Sequence, residues 1–241
     1  MIRSIILFAF LGFAIVFLLP WLILWTLIAK TPDVMYRTAM KAIRMVLRLI
    51  SVRVHVEGLE NIPLDVCIFA ANHISTIDPM AFIPAIPRRV AILVKQELFR
   101  IPLFGAAMKA AQFVPVDRSD RDAAAASLDL SIQRLKQGTS FAIYPEGTRS
   151  PDGRLRPLKK GAFIMAVGAG VPIVPVSIVG AQKIMQKGNL KVSAGDIIVR
   201  FGPPVDGAAY TDETRDALRQ RIEALIAAGL PEEQQPSPKV G

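Results

Sequence analysis

The chain has 241 residues, 52% of them hydrophobic, with 18 prolines and 16 glycines scattered without a repeat period. That composition fits one substantial folded domain with a short appendage, and excludes two full enzymatic domains, a repeat array and a largely disordered protein. The formal charge of +9 is uneven: residues 1–51 hold six Lys/Arg against one acid, and Arg149, Arg154, Arg156, Lys159 and Lys160 form a local cluster. Such an excess suits an anionic membrane surface, a phosphorylated substrate or nucleic acid.

The first element settles that choice against nucleic acid. Ile5 to Ala29 contain no charged side chain, long enough as a helix to cover a hydrocarbon core of roughly 30 Å. The run exceeds a signal-peptide core and no A-x-A-like site follows it, which predicts a retained membrane anchor, spanning or re-entrant with a bend near Pro20. From Asp33 to Ile50, the residues Arg37, Lys41, Arg44 and Arg48 recur on one helical stripe, with Met40, Ile43, Val46, Leu47 and Ile50 mainly elsewhere. This basic amphipathic helix suits anionic headgroups; packing against the enzyme body is the alternative. If the segment spans, the positive-inside rule places the following domain in the cytoplasm, at the inner or plasma membrane.

Beyond Val52, β-rich runs alternate with helical ones. Strands are predicted at V-R-V-H-V, V-C-I-F-A, V-A-I-L-V, Q-F-V-P-V, S-F-A-I-Y, V-P-I-V-P-V and D-I-I-V-R-F, and helices over Pro79–Ile86, Arg121–Lys136, Leu158–Ala169 and Asp212–Ala228. This predicts an α/β fold, a mixed sheet flanked by helices and preceded by an N-terminal membrane-associated helical segment. The expected division is a two-helix anchoring segment over 1–51, an α/β domain over 52–230 and a disordered tail over 231–241. Cys67, the single cysteine, lies in an apolar run and reads as a buried thiol. Two histidines and one cysteine match no metal-ligand spacing, so no metal is expected.

Two segments carry chemistry. N-H-I-S-T-I-D-P follows the second strand and offers His73 and Asp78, an H-x-x-x-x-D spacing. A five-residue helical step turns by about 140°, so the two side chains meet only if the segment turns. Pro79 favours such a break and makes Asp78 a candidate N-cap. A carboxylate-oriented histidine is suited to general-base work near neutral pH; His55, within an alternating strand, reads as a strand residue. The second segment, Y-P-E-G-T-R, follows the fifth strand, where Gly147 permits a tight turn and Arg149 suits phosphate oxygens. Glu146 is suited to accept from a substrate hydroxyl or to orient Arg149.

These segments, with K-Q-E-L-F-R-I-P-L-F-G at Lys95–Gly105, F-V-P-V-D-R at Phe113–Arg118 and V-P-I-V-P-V at Val171–Val176, resemble the glycerolipid acyltransferases that include 1-acylglycerol-3-phosphate acyltransferases. The resemblance covers roughly residues 55 to 205. Tyr144 stands where that family often has phenylalanine. The resemblance implies direct acyl transfer from acyl-CoA or acyl-ACP to the sn-2 hydroxyl of lysophosphatidic acid, giving phosphatidic acid, without a covalent enzyme intermediate or a cofactor. It implies His73 as base and Asp78 as its partner, with Glu146, Gly147, Thr148 and Arg149 holding the glycerol phosphate and Arg118 and Lys95 as further phosphate contacts. Backbone N–H groups near Gly147 are the candidate oxyanion donors.

Another lysolipid acceptor, such as lyso-ornithine lipid, is the alternative within the family. A serine hydrolase is disfavoured because no G-x-S-x-G is present. A non-catalytic anionic-lipid-binding protein has no need of His73 and Asp78.

Overall fold

The computed structural model describes residues 1–117, 120–186 and 188–236. All seven apolar runs form strands: β1 (Val52–Glu57), β2 (Ile68–Ala71), β3 (Val90–Lys95), β4 (Val114–Val116), β5 (Ser140–Ile143), β6 (Ile173–Val179) and β7 (Gly195–Phe201). They build one sheet in the order β1-β7-β6-β2-β5-β3-β4. Every pairing is parallel except β6 with β7, so the sheet is mixed, as its sequence predicts. The central strands are buried on both faces, which is why they read as continuous apolar runs. Along β2 the pleat sends Phe69 and Ala71 into one core and Ile68 and Ala70 into the other.

The helices are α1 (Ile2–Phe13), α2 (Leu19–Ala29), α3 (Asp33–Leu49), α4 (Asp78–Ala85), α5 (Phe104–Ala110), α6 (Arg121–Lys136), α7 (Gly161–Ala169), α8 (Ala181–Ile184) and α9 (Arg215–Ala228). Two start later than their sequence patterns suggest. Residues 158–160 stay outside α7 because the Lys159 N–H donates to Pro145 O at 2.8 Å, tying this segment to the loop after β5. α9 begins at Arg215, after a turn in which Thr211 N–H donates to Thr214 Oγ1 at 2.8 Å. α4 begins at Asp78 itself, with Ile77 as N-cap, so the expected capping role of Asp78 is corrected: its carboxylate accepts from amides upstream of the helix.

A single π-helical turn, Ala14–Leu18, joins α1 to α2 into an apolar helix, Ile2–Ala29, long and apolar enough by length and composition to cross a membrane. The π turn lies just before Pro20, whose missing N–H interrupts the α-helical ladder there. Trp21, Trp25, Leu27 and Ile28 remain exposed, whereas Leu7 is buried and Ser4 Oγ accepts from Val192 N–H at 3.0 Å. α3 contacts both α1 and α2 and sinks Val46, Leu47 and Ile50 into the core beside α4. Its basic stripe remains exposed, with Arg44 donating to Pro84 O at 2.5 Å.

Asn72 joins the fold to the site. β2 ends at Ala71, yet β6 continues, and the Asn72 side chain takes up both backbone groups of Ile178: Oδ1 accepts its N–H at 2.6 Å and Nδ2 donates to its carbonyl at 3.0 Å. The amide thus extends the ladder by one step immediately before His73. Asn72→Ala leaves two buried backbone groups without these partners and is expected to cost about 1–3 kcal/mol, measured by denaturant unfolding. A loss within the error of the measurement would show that Ile178 finds other partners.

Candidate active site

The loop after β2 turns as the pairing of His73 with Asp78 requires. His73 Nδ1 lies 2.8 Å from Asp78 Oδ2, the same oxygen that accepts the N–H groups of Ile74 at 2.7 Å and Ser75 at 2.8 Å. Three donors on one oxygen close the turn. Asp78 is fully buried while the His73 side chain is 17% exposed, so the imidazole alone reaches the surface of the site. Burial pushes the Asp78 carboxyl above its ordinary value, against the opposing hydrogen bonds from His73, Ser75 and Ile74.

The loop after β5 holds His73 from the other side. His73 N–H donates to Glu146 Oε1 at 2.5 Å, and His73 C=O accepts from Ser150 N–H at 2.8 Å. The second carboxylate oxygen of Glu146 accepts from Arg156 N–H at 3.0 Å. Glu146, 2% exposed, therefore lies behind the site, both oxygens engaged by backbone amides, and not among the groups facing the cavity where its sequence role would put it. The sequence could not show this because both partners are amides of distant residues. Gly147 adopts φ +76°, the left-handed region that favours glycine, and its N–H donates to Tyr144 O at 3.0 Å. That amide is committed to the turn, so any oxyanion donor must be another group.

A cavity of about 660 Å³ opens in front of His73. Its wall includes Lys95, Gly147, Thr148 and Arg149 from the predicted set, together with Lys159, which sequence reading noted only as part of a basic cluster. Lys159 comes into place because its own amide is pinned to Pro145, and its side chain passes within about 3 Å of where a Cβ on Gly147 would stand. Arg149 Nη1 donates to Thr76 Oγ1, inside the histidine loop, and Lys95 pairs with Glu97 at 2.7 Å. Arg118 falls outside the described residues. Ile83, Ile92, Leu98, Val116 and Leu128 make the cavity's other lining apolar. Cys67 is buried and burial pushes its thiol up to about 11, which removes it as a nucleophile. His55 is an exposed strand residue whose Nε2 lies 2.7 Å from Asp196.

Fold and site together define an α/β domain with an aspartate-held histidine at the carboxyl end of a central strand, facing a cavity lined by both cationic and apolar side chains. Residues 53–179 match the family described as Acyltransferase, and the chain belongs to that family. It is 35% identical over 173 residues to the chloroplastic 1-acyl-sn-glycerol-3-phosphate acyltransferase BAT2 of Brassica napus, covering 69% of this chain and 50% of that one. It is 31% identical over 182 residues to the 1-acyl-sn-glycerol-3-phosphate acyltransferase of Pseudomonas aeruginosa, covering 75% and 70%. The crystal structure of the 1-acyl-sn-glycerophosphate (LPA) acyltransferase PlsC from Thermotoga maritima superposes with a TM-score of 0.80 at 29% identity, covering 95% of this chain and 93% of that one. The chain spans about half the length of the plant relatives it matches first.

Burial pushes the Glu146 carboxyl up to about 7, against the amide hydrogen bonds from His73 and Arg156. Because the folded value lies above that of an exposed carboxyl, this group's contribution favours folding most at low pH and declines as the pH rises through about 7. Urea unfolding from pH 4.5 to 8 is expected to show up to about 3 kcal/mol of such decline in the wild type. Glu146→Gln should abolish that slope while adding a constant deficit, since glutamine offers one acceptor to two amides. Parallel stability curves for the two proteins would contradict the assignment.

Proposed function

We propose that the protein transfers a fatty acyl group from an acyl-CoA or acyl-ACP thioester to the sn-2 hydroxyl of 1-acyl-sn-glycerol 3-phosphate, forming phosphatidic acid. The observation that carries this reading is the shared cavity: His73, Arg149 and Lys159 face the same space as an apolar lining suited to an acyl chain. With Nδ1 engaged by Asp78, His73 uses Nε2 to take the proton of the acceptor hydroxyl. The hydroxyl oxygen attacks the thioester carbonyl, and the tetrahedral intermediate collapses with cleavage of the C–S bond. The thiolate leaves with the proton that the imidazolium returns. Asp78 stabilises the imidazolium during transfer, and Arg149, Lys159 and Lys95 hold the acceptor's phosphate. The names of the relatives above support lysophosphatidic acid as the acceptor.

The apolar N-terminal helix supports a membrane location. Contacts near both of its ends with the same domain, at Ser4 and through α3, favour a helix lying in one leaflet over one that carries its start to the opposite side. Held in this way, the domain sits at one face of the membrane, its exposed basic stripe on anionic headgroups. Reversing Arg37, Lys41 and Arg48 to Glu is expected to weaken sedimentation with phosphatidylglycerol vesicles, at about 1 kcal/mol per cation. Unchanged sedimentation would remove the stripe from the membrane contact.

Phosphate holding and chemistry separate in one assay. Arg149→Ala should lower kcat/KM for lysophosphatidic acid by the equivalent of about 1.5–3 kcal/mol, and leave slow hydrolysis of the thioester by water near wild type. His73→Ala should lower both, the transfer by about 10²–10⁴-fold. Equal losses of both reactions in Arg149→Ala would move Arg149 to the donor site or the scaffold, and near-normal turnover by His73→Ala would refute the mechanism.

A further inference from the structure

Tyr144, the residue before P-E-G-T-R, has an aromatic role that needs no hydroxyl. Its ring stacks on the His73 imidazole with centroids 4.0 Å apart and planes inclined by 20°. It also meets Phe82 edge-on, at 5.8 Å and 64°. Phe82 lies four residues after Asp78 on α4, one turn along the same face, so the Tyr144 ring occupies the wedge between the imidazole and the helix that carries its carboxylate partner. A phenylalanine would fill that wedge equally well.

The residues bordering this wedge carry two polar atoms with no hydrogen-bond partner among the described residues: the Tyr144 hydroxyl and Oδ1 of Asp78. Every donor on Asp78 falls on Oδ2. Both orphaned atoms are buried, and one is a donor where the other is an acceptor. Burial, and then the charge of Asp78, push the tyrosine hydroxyl well above its ordinary value, so it stays protonated and able to donate.

We propose that the Tyr144 hydroxyl donates to Asp78 Oδ1 through one bound water, making Tyr144 a positioning residue that sets the charge Asp78 presents to His73. The inference rests on the reading of His73 as the base. A donor on Oδ1 draws negative charge away from Oδ2 and favours the ionised carboxylate. Asp78 is then faced by His73 on Oδ2, by Tyr144 on Oδ1 and, through charge, by the Glu146 carboxyl on the adjoining loop. Removing the hydroxyl alone leaves more charge on the oxygen that faces the imidazole, which stabilises the imidazolium.

The test is Tyr144→Phe in the full chain, which keeps the stack and the packing on Phe82. The imidazole of His73 is titrated by NMR in detergent without substrate, and kcat/KM for acyl transfer is measured across pH with the same preparations. Tyr144→Phe is expected to move the imidazole titration and the acid limb of the rate profile upward together by ~0.4–1 pH unit, less than the full worth of one hydrogen bond on a carboxylate because the hydroxyl acts on the imidazole through Asp78. The shift should persist in a Glu146→Gln background, which separates it from titration of that neighbour. An unmoved imidazole titration overturns the proposal and leaves Tyr144 as packing alone. If wild-type protein transfers no acyl group to any lysolipid, the functional reading fails, while the substrate-free titration still decides whether Tyr144 acts on Asp78.

Discussion

Both backbone groups of His73 are held by the loop that follows β5, and the rest of the site depends on this clamp. Its N–H is taken by Glu146 and its carbonyl by Ser150 N–H, so a residue at the end of β2 is fixed by a loop 73 residues further along the chain. β2 and β5 are neighbours in the sheet, which brings the two loops together at their carboxyl ends. Between Glu146 and Ser150 lie Gly147, Thr148 and Arg149, the side of the cavity proposed to hold phosphate. His73 and Arg149 are therefore mounted on one hydrogen-bonded unit, and a displacement of either loop would misplace both. Since roughly 1 Å of misplacement is costly in catalysis, that coupling gives the arrangement its functional value.

Two buried carboxylates hold His73, Glu146 at its amide and Asp78 at its ring, and their neighbours show how their burial is tolerated. Asp78 receives three hydrogen bonds and Glu146 two, and His73 donates to both, through its ring to one and its amide to the other. Burying a charge without partners is among the most expensive events in folding; amides supplied by tight turns offset much of that cost here. The raised value of Glu146, near 7, is the residue of desolvation that two amides do not cancel.

Much of the fold was legible in the sequence because it rests on local pattern. All seven strands follow from apolar runs, and the His73–Asp78 pair follows from the need for a turn before Pro79. Contacts between distant segments were not legible. Glu146 looks like a substrate ligand in P-E-G-T-R, yet its partners are amides at positions 73 and 156, and amides leave no mark in a sequence. Lys159 reads as one charge in a basic cluster until its amide is seen to fold it back over Gly147. The basic stripe of α3 could face headgroups or solvent, and the burial of Val46, Leu47 and Ile50 settles only that the opposite face belongs to the enzyme body. The start of α4 was misplaced by one residue for the same reason: a carboxylate that caps a helix and one that closes the turn before it have identical sequence signatures.

That His73 and the loop after β5 form one mechanical unit is tested most directly by native-state hydrogen exchange of the His73 and Ser150 amides. The clamp predicts that both are protected to the level of the β2 amides and open together, with a common free energy and a common denaturant dependence. Exchange of Ser150 at the rate of an open loop while His73 stays protected would contradict it, and would leave His73 held by its turn with Asp78 alone.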